Sequence, residues 1–322
     1  MRYGLFSILF LALLAHTSGD RAVYDPAGPI TATPIPLNRD RPGPLRVGGL
    51  LFLQGWVLRS PNMAFGGLST MVADDAGRFL ALSDAGTAFR FRIGPTGVVG
   101  PASIRPLPAA GERKALSDTE SMAVDPGSGR VWVGYEVRNG IRRFAPRLTR
   151  IEAGLAPAAM DEWPSVTGPE SMERLPDGRF VILSENALVP GTDRTKQALL
   201  FSGDPTDPRS RVIRFGYRAP APGYWPTDLR RLPDGRLLVL HRKLSPRDGF
   251  GAMLAVFDPR AIRPGVTITS RPIAVLRQPL AIDNMEALAV TRERGRTIVW
   301  IASDDNFWVF QQTLLLKFEL LD

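Results

Sequence analysis

One phrase recurs through this chain, and its spacing constrains the fold more than any other feature. It reads GPESMERLPDGRFVILSEN at 168–186 and WPTDLRRLPDGRLLVLHRK at 225–243. Looser copies are GGLSTMVADDAGRFLALSDAG at 66–86, DTESMAVDPGSGRVWVGYEV at 118–137 and DNMEALAVTRERGRTIVWIASDDN at 283–306. Copies of one unit about 50–60 residues apart mark an array of a single supersecondary element. Each copy holds a short apolar run, a polar turn and a second apolar run.

The runs FLALSD, VWVGYE, FVILSE, LLVLHR and IVWIAS are apolar and partly β-branched, at about the usual strand length of six residues. The connectors DAGR, PGSGR and PDGR offer the positive-φ positions of a hairpin turn. Further strand-like segments follow each hairpin, among them AFRFRI, IRRFAP, ALLFSG, MLAVFD and LLLKFEL. A fourth segment leads into the next copy, as RVIRFGYR does before 225. Four strands per unit predict an all-β propeller of five four-stranded blades, with six left open if one interval hides a degenerate blade. A two-sheet sandwich is the alternative. The last unit is one strand short, and LRVGGLLFLQGWVLRS at 45–60 is one strand over. Pairing this N-terminal strand with the C-terminal blade, at 313–321, would close the ring and remove its edges.

The expected organisation is a signal peptide over 1–19, an extended Pro-rich segment over 20–44 and the propeller over 45–322. Arg2 precedes an apolar stretch, Leu5–Ala15, too short to span a bilayer comfortably. A retained anchor is the alternative reading. The chain has no Cys, which excludes disulfides, thiolate metal sites and a lipid-modified cysteine. A periplasmic or secreted bacterial protein is expected, a monomer with no integral membrane domain after cleavage. The net charge of +8 rests on arginine, since only four residues are lysine. No basic run with interleaved aromatics occurs, so nucleic acid is not an expected partner. Attraction for an anionic small molecule remains.

In a propeller the inner strands line a channel. The phrase sets Glu120, Glu170, Thr227–Asp228 and Glu286 just before or at the first strand, and Asp84, Glu136, Glu185, Arg242 and Asp304 just after the second. Antiparallel pairing brings both sets to one face. Converging carboxylates repel unless a cation compensates, and calcium takes six to eight oxygens. Glu120, Glu170, Glu286, Asp304 and Asp305 are therefore candidate calcium ligands. Each acid could instead cap a turn or pair with an arginine.

The five phrases, with the ending SDDNFWVFQQT, resemble the phytase-like family, described by an esterase-like activity. The resemblance covers about 45–322. It implies an exported β-propeller and a metal-assisted hydrolase of phosphoric esters, acting at the channel mouth on an anionic small-molecule ester. The DDPAIW-type phrase of alkaline propeller phytases does not occur, and DTESMAVDP is a distant echo of it. Candidate catalytic residues are Glu120, Glu170, Asp228 and His241, and candidate substrate-binding residues are Arg113, Lys114, Arg242 and Lys243. No G-x-S-x-G elbow or nucleotide fingerprint is present. A non-catalytic envelope propeller that binds a ligand or a protein is the competing reading.

Overall fold

The computed structural model describes residues 29–94, 97–98, 100, 102–110, 118–165 and 168–321. The expected signal peptide, and Arg113 with Lys114, lie outside the described residues.

Five antiparallel sheets follow one another along the chain, each beginning with an inner strand. Blade 1 is Leu68–Ala73, Arg78–Ser83, Thr87–Gly94 and Ser103–Pro106. Blade 2 is Thr119–Val124, Val131–Tyr135, Gly140–Phe144 and Ile151–Leu155. Blade 3 is Pro169–Arg174, Phe180–Leu188, Lys196–Phe201 and Val212–Arg218. Blade 4 is Trp225–Arg231, Leu237–Ser245, Gly249–Phe257 and Arg271–Arg277. Blade 5 is Asn284–Glu293, Arg296–Asp304 and Leu314–Leu320, and its fourth strand is Leu50–Arg59 from the other end of the chain. The fold is a five-bladed propeller. Thr31–Ile35, within the segment read as extended and Pro-rich, adds a further strand to the edge of blade 5.

Strands of a propeller blade are covered on both sides by the neighbouring blades, so they read as continuous apolar runs rather than alternating ones. Phe180–Leu183 and Leu237–Leu240 are buried at every position for this reason. The core is accordingly divided into five clusters, one between each pair of neighbouring blades. Between blades 5 and 1, Trp56 stacks on Trp300 at 6.2 Å and Phe79 meets Trp300 edge-on at 5.0 Å.

The Asp-Gly-Arg letters of the phrase build the turn between the first two strands. Gly178 and Gly235 sit there at φ +87° and +90°, where a side chain is strained. Asp177 and Asp234 accept from the N–H of Arg179 and Arg236 and pair with the same arginines' guanidinium groups. These turns lie on the face opposite the channel mouth. The mouth is formed by the other connections: the links between second and third strands and those between blades.

Candidate metal centre at the channel mouth

Each of the five inner strands carries a register shift near its start. It falls at Ser69, Glu120, Glu170, Thr227 and Glu286, the same place in every copy of the phrase. A bulge leaves one residue out of the ladder and re-aims its side chain. Three of the five extra residues are glutamates, and they are brought together at the channel mouth. At the neutral positions the hydroxyl closes on the next blade instead: Ser69 donates to the Thr119 carbonyl at 2.6 Å and Thr227 to the Met285 carbonyl at 3.4 Å.

The ends of the second strands complete the ring. Glu136 N–H donates to the Asp118 carbonyl and Asp84 N–H to the Gly67 carbonyl, so these residues flank the bulges. Asp118, Glu120 and Glu136 each offer a carboxylate oxygen within 4.8 Å of the others, and this group could hold a metal ion. Sequence reasoning placed Glu136 and Glu185 at the mouth without counting them as ligands, and it passed over Asp118. The signal was there, since Glu136 and Glu185 occupy the repeat position of Asp304.

Crowded carboxylates in a poorly solvated channel resist ionisation. Burial, then the charges of Glu170, Glu136 and Asp118, hold the Glu120 carboxyl well above its usual range. Burial and Glu185, Glu136 and Glu286 do the same to Glu170. Glu136 is pushed up to about 8 by burial and by Asp118 and Glu185. Asp304 is raised by burial and by Glu286 and Asp84. Glu286 is raised too, by burial first, although Arg242 pulls it down.

Arg242 is a cation of this ring. It donates to Glu185 at 2.7 Å and to Asn284 at 3.1 Å, and lies 3.3 Å from Glu286. Among the described residues, no hydrogen bond or ion pair to a side chain reaches the carboxylates of Glu120 and Glu170, and Glu170 is only 7% exposed. A buried carboxylate without a partner is costly unless it is protonated or meets a cation. The donors are oxygens only, the set suited to a hard ion such as calcium.

Other residues singled out in the sequence sit elsewhere. Asp228, read as a candidate catalytic group, lies below the mouth and is fully buried. It accepts from the N–H of Leu288 and Leu229 at 2.8 Å and pairs with Arg230 at 2.9 Å. Arg230 in turn donates to the carbonyls of Met71 and Met172 in blades 1 and 3, so the pair plugs the channel. His241, also read as a candidate, does not face the channel. It is enclosed between blades 3 and 4, 2.7 Å from the Tyr217 hydroxyl and 3.1 Å from the Met253 carbonyl. Burial lowers its pKa to about 4, which keeps the ring neutral. Asp305 stands at the lip and braces a loop, accepting from Gly67 N–H at 2.9 Å and the Thr313 hydroxyl at 2.8 Å. Lys243 lies over the Tyr224 ring at 5.6 Å, and Arg242 and Lys196 flank Trp225.

Solved structures with a similar shape share little sequence. Hydrazine synthase of Kuenenia stuttgartiensis aligns at 12% identity with a TM-score of 0.37, covering 76% of this chain and 58% of that one. The Cps50 (Swd1) β-propeller domain of Myceliophteria thermophila aligns at 8% with a TM-score of 0.40, covering 86% and 98%. A luciferin-regenerating enzyme aligns at 9% with a TM-score of 0.43, covering 86% and 95%. No curated protein matches the chain. The family model described as "Phytase-like: Esterase-like activity of phytase" matches residues 63–307, from the loop before the first inner strand to the loop after Asp304, and the chain belongs to this family.

Proposed function

We propose that the protein is a calcium-dependent hydrolase of phosphoric esters, working at the channel mouth on an anionic small molecule. The observation that carries this reading is the pair Glu120 and Glu170, bulged into the channel in an oxygen-only set and, among the described residues, without a side-chain partner. Membership of the phytase-like family supports the same reaction class. Glu120, Glu170 and Glu286 would hold the ion, with Asp304 and Asp305 at the lip and with Asp118 and Glu136 on the blade 2 side. A bound calcium ion would supply Lewis-acid polarisation of a phosphoryl oxygen and neutralise its charge. Without the ion Glu136, pushed up to about 8, holds a proton near neutral pH, and a bound cation would displace it. Arg242 orients Glu185 and Glu286 and keeps cationic charge beside the substrate; Lys243, and Arg113 with Lys114, are further candidates for binding the anion.

A second reading, a propeller that binds a ligand without catalysis, is favoured by the engagement of Asp228 and His241 elsewhere. The two separate on a panel of phosphomonoesters, phosphodiesters and carboxylic esters, assayed with calcium and with chelator. Turnover of a phosphoester that is lost in chelator and in Glu120→Gln supports the hydrolase. Calcium binding without turnover of any ester supports the binder. Export to the periplasm or beyond belongs to both readings, and mature protein still beginning at Met1 would count against removal of residues 1–19.

A further inference from the structure

The two faces of the propeller differ in chemistry. The far face ends in charged turns, where Asp74 pairs with Arg78, Asp177 with Arg179 and Asp234 with Arg236. The mouth face carries most of the exposed large apolar side chains. Of the ten large apolar side chains exposed among the described residues, only Val266 and Val275 lie off it. Four of the others are consecutive. Phe307, Trp308, Val309 and Phe310 are 45%, 47%, 91% and 89% exposed, and Met63, 76% exposed, belongs to the adjoining loop. Trp225 and Leu244 stand exposed on blade 4.

This apolar tip is held rigidly by polar bonds at its base. Asn306 N–H donates to Asp304 at 2.6 Å and Trp308 N–H to the Asp305 carbonyl at 2.7 Å. Gln311 and Gln312 both donate to Asp283 at 3.0 Å. Asn306 and Phe307 are held at φ +47° and +52°, a costly conformation for phenylalanine. Exposed aromatics on a braced, strained loop mark a surface kept for contact.

The path of the chain points to what that surface meets. Thr31–Ile35 pairs with the fourth strand of blade 5 so that Thr31 lies beside Arg59, and Leu58 N–H donates to the Thr313 carbonyl. The chain therefore enters the fold on the rim that carries the tip. In the sequence the apolar stretch Leu5–Ala15 precedes this entry point, outside the described residues. Tryptophan and phenylalanine are also the side chains suited to the boundary between headgroups and acyl chains. Exposed arginines on the mouth face, Arg59, Arg138, Arg194, Arg247 and Arg277, stand among four exposed acids, Asp161, Glu162, Asp193 and Asp248. Charge is thus a minor contribution and the apolar tip the main one.

We infer that the mouth face seats on a phospholipid bilayer surface, with the Phe307–Phe310 tip entering the interface and the channel opening toward the membrane. The inference is independent of whether the site hydrolyses esters. The test is co-sedimentation of the mature protein with sucrose-loaded phosphatidylcholine vesicles, with and without phosphatidylglycerol. Binding to both is expected, with little preference between them. The double variant Trp308→Ser, Phe310→Ser should weaken it at least tenfold, while Val266→Ser leaves it unchanged. Brominated acyl chains should quench wild-type tryptophan fluorescence and lose most of that effect in Trp308→Phe, a variant that keeps the loop apolar. Absence of vesicle binding overturns the inference, as does binding that the double variant retains in full. Binding confined to anionic vesicles and indifferent to the tip overturns it in favour of surface charge. Self-association in sedimentation velocity that the double variant abolishes, without vesicle binding, overturns it in favour of a second copy of this chain.

Discussion

Calcium should stabilise the protein strongly at pH 8 and weakly at pH 5, and Glu170→Gln should remove most of the effect. The sign follows from the raised carboxyl pKa values at the mouth. Below about 4.5 both the folded and unfolded states hold these protons. Above it the unfolded chain releases them while the folded cluster retains them, so stability falls as pH rises through the folded values. Glu136 alone, raised from 4.5 to about 8, accounts for roughly 5 kcal/mol lost by pH 8 at 1.36 kcal/mol per pH unit. A bound cation takes over the proton's compensating role and restores stability where the loss is greatest. At a calcium concentration 100 times its Kd the gain is about 2.7 kcal/mol, which at 2–4 °C per kcal/mol raises Tm by roughly 5–10 °C. In chelator, Glu170→Gln should melt higher than the wild type at pH 8, because a buried carboxyl that resists ionisation in the folded state is gone. In calcium it should gain little. Scanning fluorimetry of both proteins at pH 5, 6.5 and 8, with calcium and with chelator, reads all of these. Coincident wild-type midpoints with calcium and chelator at pH 8, or a full calcium shift in Glu170→Gln, would refute the assignment. The acids would then be better described as turn caps and arginine partners.

Two further outcomes follow from buried groups away from the mouth. His241 is fully buried and lowered to about 4, so the folded state excludes a proton that the unfolded chain accepts below 6.5. Stability from this group is present above pH 6.5 and is lost as pH falls toward 4, by about 3 kcal/mol in all; His241→Gln should flatten that limb of a Tm–pH profile, and an unchanged slope would contradict the enclosure between blades. Arg230→Met should lower stability by about 3–5 kcal/mol at pH 8, since it strands the Asp228 carboxylate in the channel. The loss should shrink at pH 5, where Asp228, raised to about 7 by burial, is protonated; chemical denaturation at the two pH values decides it.

The blades were legible because hairpin chemistry is local. A Gly at positive φ and an Asp that binds the arginine two residues on leave their letters in adjacent positions, so a repeated turn is a repeated word. The strands, covered on both sides, repeat as apolar runs for the same reason. The site was only half legible. The glutamates of the phrase were visible, but nothing in the letters separates Glu120, a bulge residue, from Asp228, its counterpart one place further along an inner strand. The difference is the register shift, which depends on the partner strand and moves one side chain to the mouth while its neighbour points into the channel below. The shift accounts for Asp228; His241, on the second strand, turns instead between blades 3 and 4. Each is polar and near a strand end, and each is bonded to residues of other blades, Thr70 and Leu288 in one case and Tyr217 in the other.

Arg242 carries the argument one step further. It occupies the ring position that Asp84, Glu136, Glu185 and Asp304 occupy in the other blades, so the ring is built with a cation on one side. Its guanidinium is held by Glu185 and Glu286, on the side of blades 3 to 5. The remaining acids of the mouth lie toward blade 2, as Asp118, Glu120 and Glu136 with Glu170, and toward blades 5 and 1, as Asp304 with Asp84. A ring of five identical acids would offer a cation no preferred place. Replacing one acid by arginine gives the mouth a polarity, a cationic side fit to face an anion and an acidic side fit to hold a metal. Reaction at a phosphoester needs both of these within reach of one small molecule.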